Sequence, residues 1–198
     1  MRTNTSIPII CLALGHVLTG YGQNSKQTIQ VPEASDFVSS PLRNSIKLEL
    51  NATTFEVWAL IGKLERMPEY SSGLKRVDAQ YDSANHCQSY ACTFFPMSEG
   101  SPETTHTEIM KWYQPNIGLA SMAEEPNILG LKNSLGIIVL SSKGTKTILE
   151  WSQYFDADSP ETVHMNLEGF KLALNEDIAN NLIKEFGGQI LESYVQPY

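Results

Sequence analysis

The sequence lacks the motifs that mark the common catalytic centres. It contains no phosphate-binding G-x-x-x-x-G-K loop, no H-E-x-x-H zinc motif, no G-x-S-x-G nucleophile motif and no paired C-x-x-C. The four histidines, His16, His86, His106 and His164, are far apart in the sequence, and we interpret the last three as exposed residues near the ends of strands or helices. We therefore predict no metal site and no cofactor.

Basic residues are few, and they form no run. The chain has 14 Lys and Arg against 22 Asp and Glu, which gives a net charge of −8 and a pI near 5.0. Binding to a nucleic-acid backbone or an anionic membrane surface depends on clustered positive charge. The composition therefore predicts neither partner.

Long apolar runs are also missing, and the longest lies near the N-terminus. Arg2 is the only early charge, the stretch Ile7–Leu18 is mostly apolar, and Gly20 and Gly22 stand at positions −3 and −1 of a possible cleavage site. This pattern predicts a signal peptide over residues 1–22 and export to the periplasm or the exterior. The alternative is an uncleaved apolar N-terminus, which is too short to span a bilayer. After cleavage we expect no stable membrane anchor.

Cysteine is sparse, and a cut after Gly22 leaves only Cys87 and Cys92. If both lie on one strand, five steps of about 3.3 Å separate them by roughly 16 Å. A disulfide needs Cα atoms about 4.4–6.8 Å apart. The spacing therefore predicts free thiols.

The remaining chain divides into an arm and one domain. Residues 23–44 are polar and lack periodicity, which indicates a linker or flexible arm. The predicted domain covers residues 45–198 and opens with an alternating strand, Ser45–Leu50. A capping box at Thr53–Glu56 then predicts a short helix through Leu64, and Pro68 predicts a second short helix through Ser72.

Six more strands and one long helix are predicted after these short helices. The apolar stripe of the helix ends at Gly187, because the glycine pair there stops the pattern. The predicted strands are Lys75–Tyr81, Cys87–Phe95, Thr107–Gln114, Leu119–Glu124, Leu135–Ser141 and Thr145–Phe155. The apolar stripe consists of Leu167, Phe170, Leu174, Ile178, Leu182 and Phe186.

This order predicts an α+β fold in which a curved antiparallel sheet of about seven strands wraps around the C-terminal helix. A helix with one apolar face needs a partner surface, and the sheet is the available one. A sheet that wraps around one helix tends to enclose a cavity. The alternative is an interior filled by close packing.

Three segments of the chain resemble a known superfamily. They are Asn51–Trp58 with Met67–Tyr70, Gly144–Trp151, and Asp177–Phe186 at the end of the long helix. The chain thereby resembles the Bet v 1-like or START-like helix-grip proteins (SRPBCC), which include polyketide cyclase/dehydrase and lipid-transport types. The resemblance implies the fold more strongly than a reaction, because this superfamily contains binding proteins, transporters and enzymes.

The candidate site is the interior of this fold. Apolar side chains that share strand or helix faces, with a few polar groups, are typical of a small-molecule pocket. The candidate ligand-binding residues are Tyr90, Phe94, Lys111, Tyr113, Ile137, Val139, Leu149, Trp151, Phe170, Leu174 and Ile178. Lys111 and Tyr113 share one face of their strand and Glu108 lies on the other, but the pattern does not say which face points inward. The long loops Pro96–Thr105 and Glu125–Asn133 are expected to border the mouth.

Three functional hypotheses follow. The first is a carrier that binds a small hydrophobic molecule or lipid. The second is a metal-free enzyme of the cyclase/dehydrase type, in which Lys111, Tyr113 or Glu150 moves protons. The third is a protein-interaction module with a collapsed cavity. The sequence leaves the ligand's identity and the oligomeric state open.

Overall fold

One sheet of eight strands and one long helix make up most of the chain in a computed structural model. The structure describes residues 30–96, 98 and 100–197, and Val31 begins the compact unit that contains the sheet and the helix. The predicted signal peptide, residues 1–22, and the first part of the predicted arm lie outside the described residues. Cleavage and export therefore remain predictions.

The strands and helices follow one another in the predicted order. The first half consists of β1 (Leu42–Leu50), α1 (Thr54–Ile61), a 3₁₀ helix (Leu64–Glu69), β2 (Leu74–Tyr81), β3 (Cys87–Phe94) and β4 (Thr104–Gln114). The second half consists of β5 (Gly118–Ala123), β6 (Leu131–Lys143), β7 (Lys146–Ala157), the C-terminal helix and β8 (Gly188–Val195). The C-terminal helix has three parts, namely α2 (Pro160–Phe170), a π-helical segment (Lys171–Ile178) and α3 (Ala179–Phe186).

The strand order in the sheet is β2-β3-β4-β5-β6-β7-β1-β8, and all neighbours are antiparallel. Strands β2 to β7 form a meander, and β1 then pairs with β7, with Leu48 opposite Leu149. The C-terminal helix contacts β1 and β7 on the concave side. The predicted α+β helix-grip architecture is confirmed.

The eighth strand was not predicted. Gly187 and Gly188 have φ angles of 69° and 124°, a region that side chains other than glycine disfavour. A Cβ atom on Gly188 would lie 1.9 Å from the backbone oxygen of Glu49. The glycine pair therefore does more than end the helix, since it turns the chain back so that β8 adds to the sheet beside β1.

The N-terminal boundary of the domain differs from the prediction. Strand β1 begins at Leu42, so the last residues of the predicted arm belong to the sheet. A 3₁₀ turn at Ala34–Asp36 precedes it. Ala34, Phe37 and Val38 pack against an apolar cluster on the outer face of the sheet. Part of the segment interpreted as a flexible arm is thus held by apolar contact.

The capping box that starts α1 is present as predicted. The hydroxyl of Thr53 accepts a hydrogen bond from the Glu56 amide at 3.3 Å, and the Glu56 carboxylate accepts from the Thr53 amide at 2.8 Å. Such a cap contributes about 1 kcal/mol. The helix ends at Ile61 rather than Leu64, and the second short helix begins before Pro68 rather than at it.

Alternation along β1 builds the core. Ile46, Leu48 and Leu50 point to the concave side and are at most 2% exposed. They belong to the same buried cluster as Ile178 and Leu182 of the helix. Burying each of these side chains contributes roughly 1.5–3 kcal/mol. The helix is therefore held mainly by apolar contact with the inner strands.

Glu49 lies on the outer face and joins β1 to the β6–β7 turn. Its carboxylate accepts hydrogen bonds from the ammonium groups of Lys143 and Lys146, each at 2.7 Å. The Lys143 bond, followed by the Lys146 bond, lowers the pKa of Glu49 from about 4.5 to about 2. A carboxyl group whose pKa is lower in the folded state stabilises that state when it is ionised.

We therefore expect the contribution of Glu49 to the free energy of unfolding to be complete above about pH 4.5 and to disappear as the pH falls towards 2. In Glu49→Gln, the free energy of unfolding in urea should be lower than in the natural protein at pH 7, and the difference should shrink as the pH falls. Glu192→Gln, which removes an exposed carboxylate 3.8 Å from Lys47, is the control and should show little effect. A constant Glu49→Gln difference from pH 7 to pH 2 would contradict this assignment.

Both described cysteines, Cys87 and Cys92, are free and buried. Burial is the main cause that raises the pKa of Cys87 to about 11 and of Cys92 to about 12.

Because the thiolate is the reactive form, both thiols should react slowly with Ellman's reagent at pH 8 until denaturant is added. The measurement uses Cys11→Ser to remove the third cysteine, and Ser142→Cys supplies an exposed reference thiol. Native rates equal to that of the reference thiol would show that the prediction is wrong.

Candidate functional site

A cavity of about 130 Å³ lies between the concave face of the sheet and the C-terminal helix. The structure brings together around it more than half of the residues that the sequence analysis proposed. Those that line it are Tyr90, Phe94, Trp151, Phe170, Leu174 and Ile178. The space that remains between these side chains shows that the interior under the helix is not completely filled. Whether these side chains bind a ligand remains a prediction.

A second hollow of about 30 Å³ adjoins the first. The smaller one reaches Ser121 on β5, and the lining residues that the two share are Met67, Tyr90, Glu108, Trp151 and Gln153. The hydroxyl oxygens of Tyr90 and Ser121 are 2.8 Å apart, and this buried hydrogen bond closes that end. Burial, with a smaller contribution from Glu108, raises the pKa of Tyr90 well above its usual value, so its hydroxyl keeps its proton at neutral pH.

The helix is tied to the rest of the domain on both sides of the cavity. Near α2, the side-chain amide of Asn166 donates to the carbonyl of Leu129 in the β5–β6 loop at 2.8 Å. Towards α3, the carboxylate of Asp177 accepts from the Ser72 amide at 2.7 Å. Between these contacts Ala173 is exposed and also lines the cavity, so the cavity reaches solvent there. The π-helical segment spans this opening, and such segments often occur at functional sites.

The main polar group of the cavity is a pair on β4. His106 and Glu108 point inward, and Nε2 of His106 lies 2.8 Å from Oε1 of Glu108. The side chains are 6% and 16% exposed. Among the described residues, Nδ1 of His106 has no hydrogen-bond partner. Glu108 is also one of the causes that raise the pKa of Cys92, after burial itself, which indicates that its charge acts on the cavity.

The sequence analysis wrongly interpreted His106 as an exposed loop residue. Strand β4 begins at Thr104, three residues before the predicted start, because the alternation of inward and outward residues already begins there. The inward positions of β3 were available from the pattern, since Cys92 lies between Tyr90 and Phe94 at a spacing of two. Gln153 follows Trp151 at the same spacing of two and was also available from the pattern, whereas no sequence pattern marked Leu129 as a cavity residue.

A β-bulge separates Lys111 and Tyr113, which were predicted to share one face. Met110 lies opposite Ser121 and Trp112 lies opposite Ala120, so Lys111 is the extra residue. Lys111 is exposed and does not line the cavity. Tyr113 lines an open groove of about 620 Å³ beside α1. Its hydroxyl donates to the carbonyl of Gly62 at 2.9 Å.

Three further candidates also lie away from the cavity. Ile137 and Val139 belong to the outer-face cluster, because their neighbours Ile138 and Leu140 take the inward positions of β6. Leu149 is fully buried in the main core, but it does not line the cavity. These placements correct the prediction, which rested on shared faces without knowledge of which face pointed inward.

Glu150, the remaining acid–base candidate, is on the outer face of β7. Its carboxylate forms an ion pair with Lys47 at 2.9 Å.

No three His, Cys, Asp or Glu side chains within the described ranges are grouped so that they could hold a metal ion. In the same part of the chain, no helix is both long and apolar enough to cross a bilayer.

The sequence of the chain matches no family profile and no curated protein. Solved structures do match. The Zhui aromatase/cyclase from Streptomyces sp. R1128 has a TM-score of 0.59 at 12% identity, covering 73% of this chain and 93% of that one. A START superfamily protein from Mycobacterium smegmatis has a TM-score of 0.52 at 12% identity, covering 68% of this chain and 94% of the other.

A norcoclaurine synthase point mutant from Thalictrum flavum also matches, with a TM-score of 0.51 at 15% identity and coverage of 75% and 98% of the two chains. At such low identities the similarity establishes architecture and carries no information on ligand or reaction. The chain therefore has the Bet v 1/START-like helix-grip fold that its sequence segments resemble.

Proposed function

We propose that this protein binds a small hydrophobic molecule in the cavity under its C-terminal helix. The observation that carries the proposal is the space of about 130 Å³ in an otherwise packed interior. Protein interiors are normally filled to the density of organic crystals. A cavity lined mainly by apolar side chains with a few polar groups is the usual form of a small-molecule site.

The fold supports this proposal in general terms. The structurally similar proteins include one named as a START superfamily member and one named as an aromatase/cyclase. The protein-interaction hypothesis required a collapsed cavity, and the open space under Phe170 and Leu174 argues against it.

Catalysis of the cyclase/dehydrase type is a second candidate, and the buried His106–Glu108 pair is the observation that favours it. A histidine held by a carboxylate is a common proton-transfer unit. The earlier candidates Lys111, Tyr113 and Glu150 do not line the cavity, so they do not support this role. Catalysis differs from carriage in one measurable respect: the molecule recovered after incubation would have a changed chemical structure, with a lower mass where water is lost.

The compartment follows from the N-terminal prediction alone. We propose that the carrier acts in the periplasm or outside the cell, since residues 1–22 have the pattern of a signal peptide. Fractionation of cells that express the full chain, with the N-terminal sequence of the purified protein, tests this proposal. Retention in the cytoplasm with Met1 intact would contradict it.

Filling the cavity should abolish binding. Leu174 is 2% exposed and lines the cavity, whereas Leu172, two residues away on the same helical segment, is 56% exposed. We expect Leu174→Trp to lose the binding of toluene, measured by saturation-transfer NMR, while Leu172→Trp keeps it. If the tryptophan does not fit the available space, overpacking should cost about 1–3 kcal/mol.

Circular dichroism and urea unfolding establish whether each variant is folded. Toluene binding by the folded Leu174→Trp protein at the natural affinity would contradict the proposed site. The absence of toluene binding by the natural protein would contradict the proposed function itself. Native mass spectrometry of the purified full chain then identifies any apolar molecule that it carries from the cell.

A further inference from the structure

We infer that the natural ligand of the cavity is a molecule with one ring that bears a hydroxyl group, and that this hydroxyl donates a hydrogen bond to the carboxylate of Glu108. The inference rests on the proposed function, since it names the class of ligand for the same cavity. It is carried by the volume of the cavity, by its apolar walls and by the hydrogen-bonding groups that the His106–Glu108 pair leaves without a protein partner.

The volume limits the apolar part of the ligand. The cavity measures about 130 Å³ and its neighbouring hollow about 30 Å³. In another protein, an engineered apolar cavity of about 150 Å³ accommodates benzene. The space under the helix therefore fits one six-membered ring, and any larger part of a ligand would have to extend through the opening at Ala173.

Glu108 supplies an acceptor inside this space. Its Oε1 faces Nε2 of His106 at 2.8 Å, and the described residues form no other hydrogen bond to the carboxylate. Its side chain is 16% exposed and lines both hollows. A carboxylate has two oxygens that accept several hydrogen bonds. Glu108 can therefore accept another bond from within the cavity.

Among the described residues, no protein group other than His106 forms a hydrogen bond with this carboxylate. The hydroxyl of Tyr90 is paired with Ser121, and the thiol of Cys92 is a weak donor. Lys and Arg are absent from the residues that line the two hollows. A buried polar group without its full set of partners is costly. A ligand that brings a donor would be favoured over one that is wholly apolar.

A hydroxyl group matches the pair better than other polar groups do. An ionised carboxylate only accepts, so opposite ionised Glu108 the facing Nε2 of His106 carries a proton, and the unpartnered Nδ1 is then an acceptor in the neutral ring or a donor in the charged ring. A hydroxyl both donates and accepts, so it suits either form. An ether oxygen cannot donate to Glu108, and an ammonium group would bring a full charge into an apolar space.

The test compares four probes of similar size: phenol, toluene, anisole and benzylamine. Their dissociation constants for the full-length protein are measured by calorimetry or ligand-observed NMR. We expect phenol to bind at least about tenfold more tightly than toluene and anisole, as a hydrogen bond to a charged group allows. We expect benzylamine to bind more weakly than phenol.

Substitutions at Glu108 test whether this carboxylate causes the preference for phenol. In Glu108→Leu, which removes the acceptor and keeps a similar volume, the preference for phenol over toluene should fall by about tenfold, whereas toluene should bind as well as before or better. Glu108→Gln keeps the shape if the leucine variant does not fold, and its preference should fall by about threefold. The matched control is Glu150→Gln on the outer face, which should change neither affinity.

The outcomes separate this inference from the proposed function. If toluene and phenol bind equally, if anisole or benzylamine binds more tightly than phenol, or if Glu108→Leu keeps the preference, the hydroxyl assignment is overturned while the cavity remains a binding site. If no probe binds the natural protein, both the inference and the proposed function fail. If phenol is preferred and the preference depends on Glu108, the assignment stands.

Discussion

The contact between the apolar stripe of the C-terminal helix and the concave face of the sheet holds this structure together. Leu174, Ile178 and Leu182 meet the inward residues of β1 in one buried cluster. The polar ties, at Asn166 and at Asp177, fix the helix on either side of the cavity rather than over it. Between these ties the side chains do not fill the space beneath the middle of the helix, and the cavity remains.

The histidine–carboxylate pair in this mainly apolar space has consequences beyond its own contact. The carboxylate of Glu108 contributes, after burial, to the raised pKa values of Tyr90 and Cys92, and it places an acceptor on the cavity wall to which, among the described residues, only His106 is hydrogen-bonded. Burial of polar groups is tolerated when hydrogen bonds compensate for lost hydration. In this domain the compensation is partial, since Nδ1 of His106 has no partner among the described residues. That combination gives an otherwise mainly apolar cavity one polar pair with an unpartnered nitrogen.

The outer face of the sheet has a separate structural role. The N-terminal turn packs there against Ile137 and its neighbours, while Glu49 connects β1 to the β6–β7 turn through two lysines. Strand β8 then adds to β1, which would otherwise form the edge of the sheet. The first strand is therefore enclosed by β7 and β8, and this placement secures the strand on which the helix packs.

The sequence by itself determined the order of the elements, the capping box at Thr53 and the apolar stripe of the helix, because these depend on local periodicity and on side chains close in the chain. It also proposed Tyr90, Phe94, Trp151 and the helix residues for a common interior, together with five candidates that lie elsewhere. Only the tertiary structure decided that Lys111 points outward, since a bulge changes the alternation without a sequence signal. It alone decided that β6 places Ile138 rather than Ile137 inside, and that His106 meets Glu108 at the cavity wall. Strand alternation defines two faces, but which face becomes the interior depends on contacts between residues far apart in the chain.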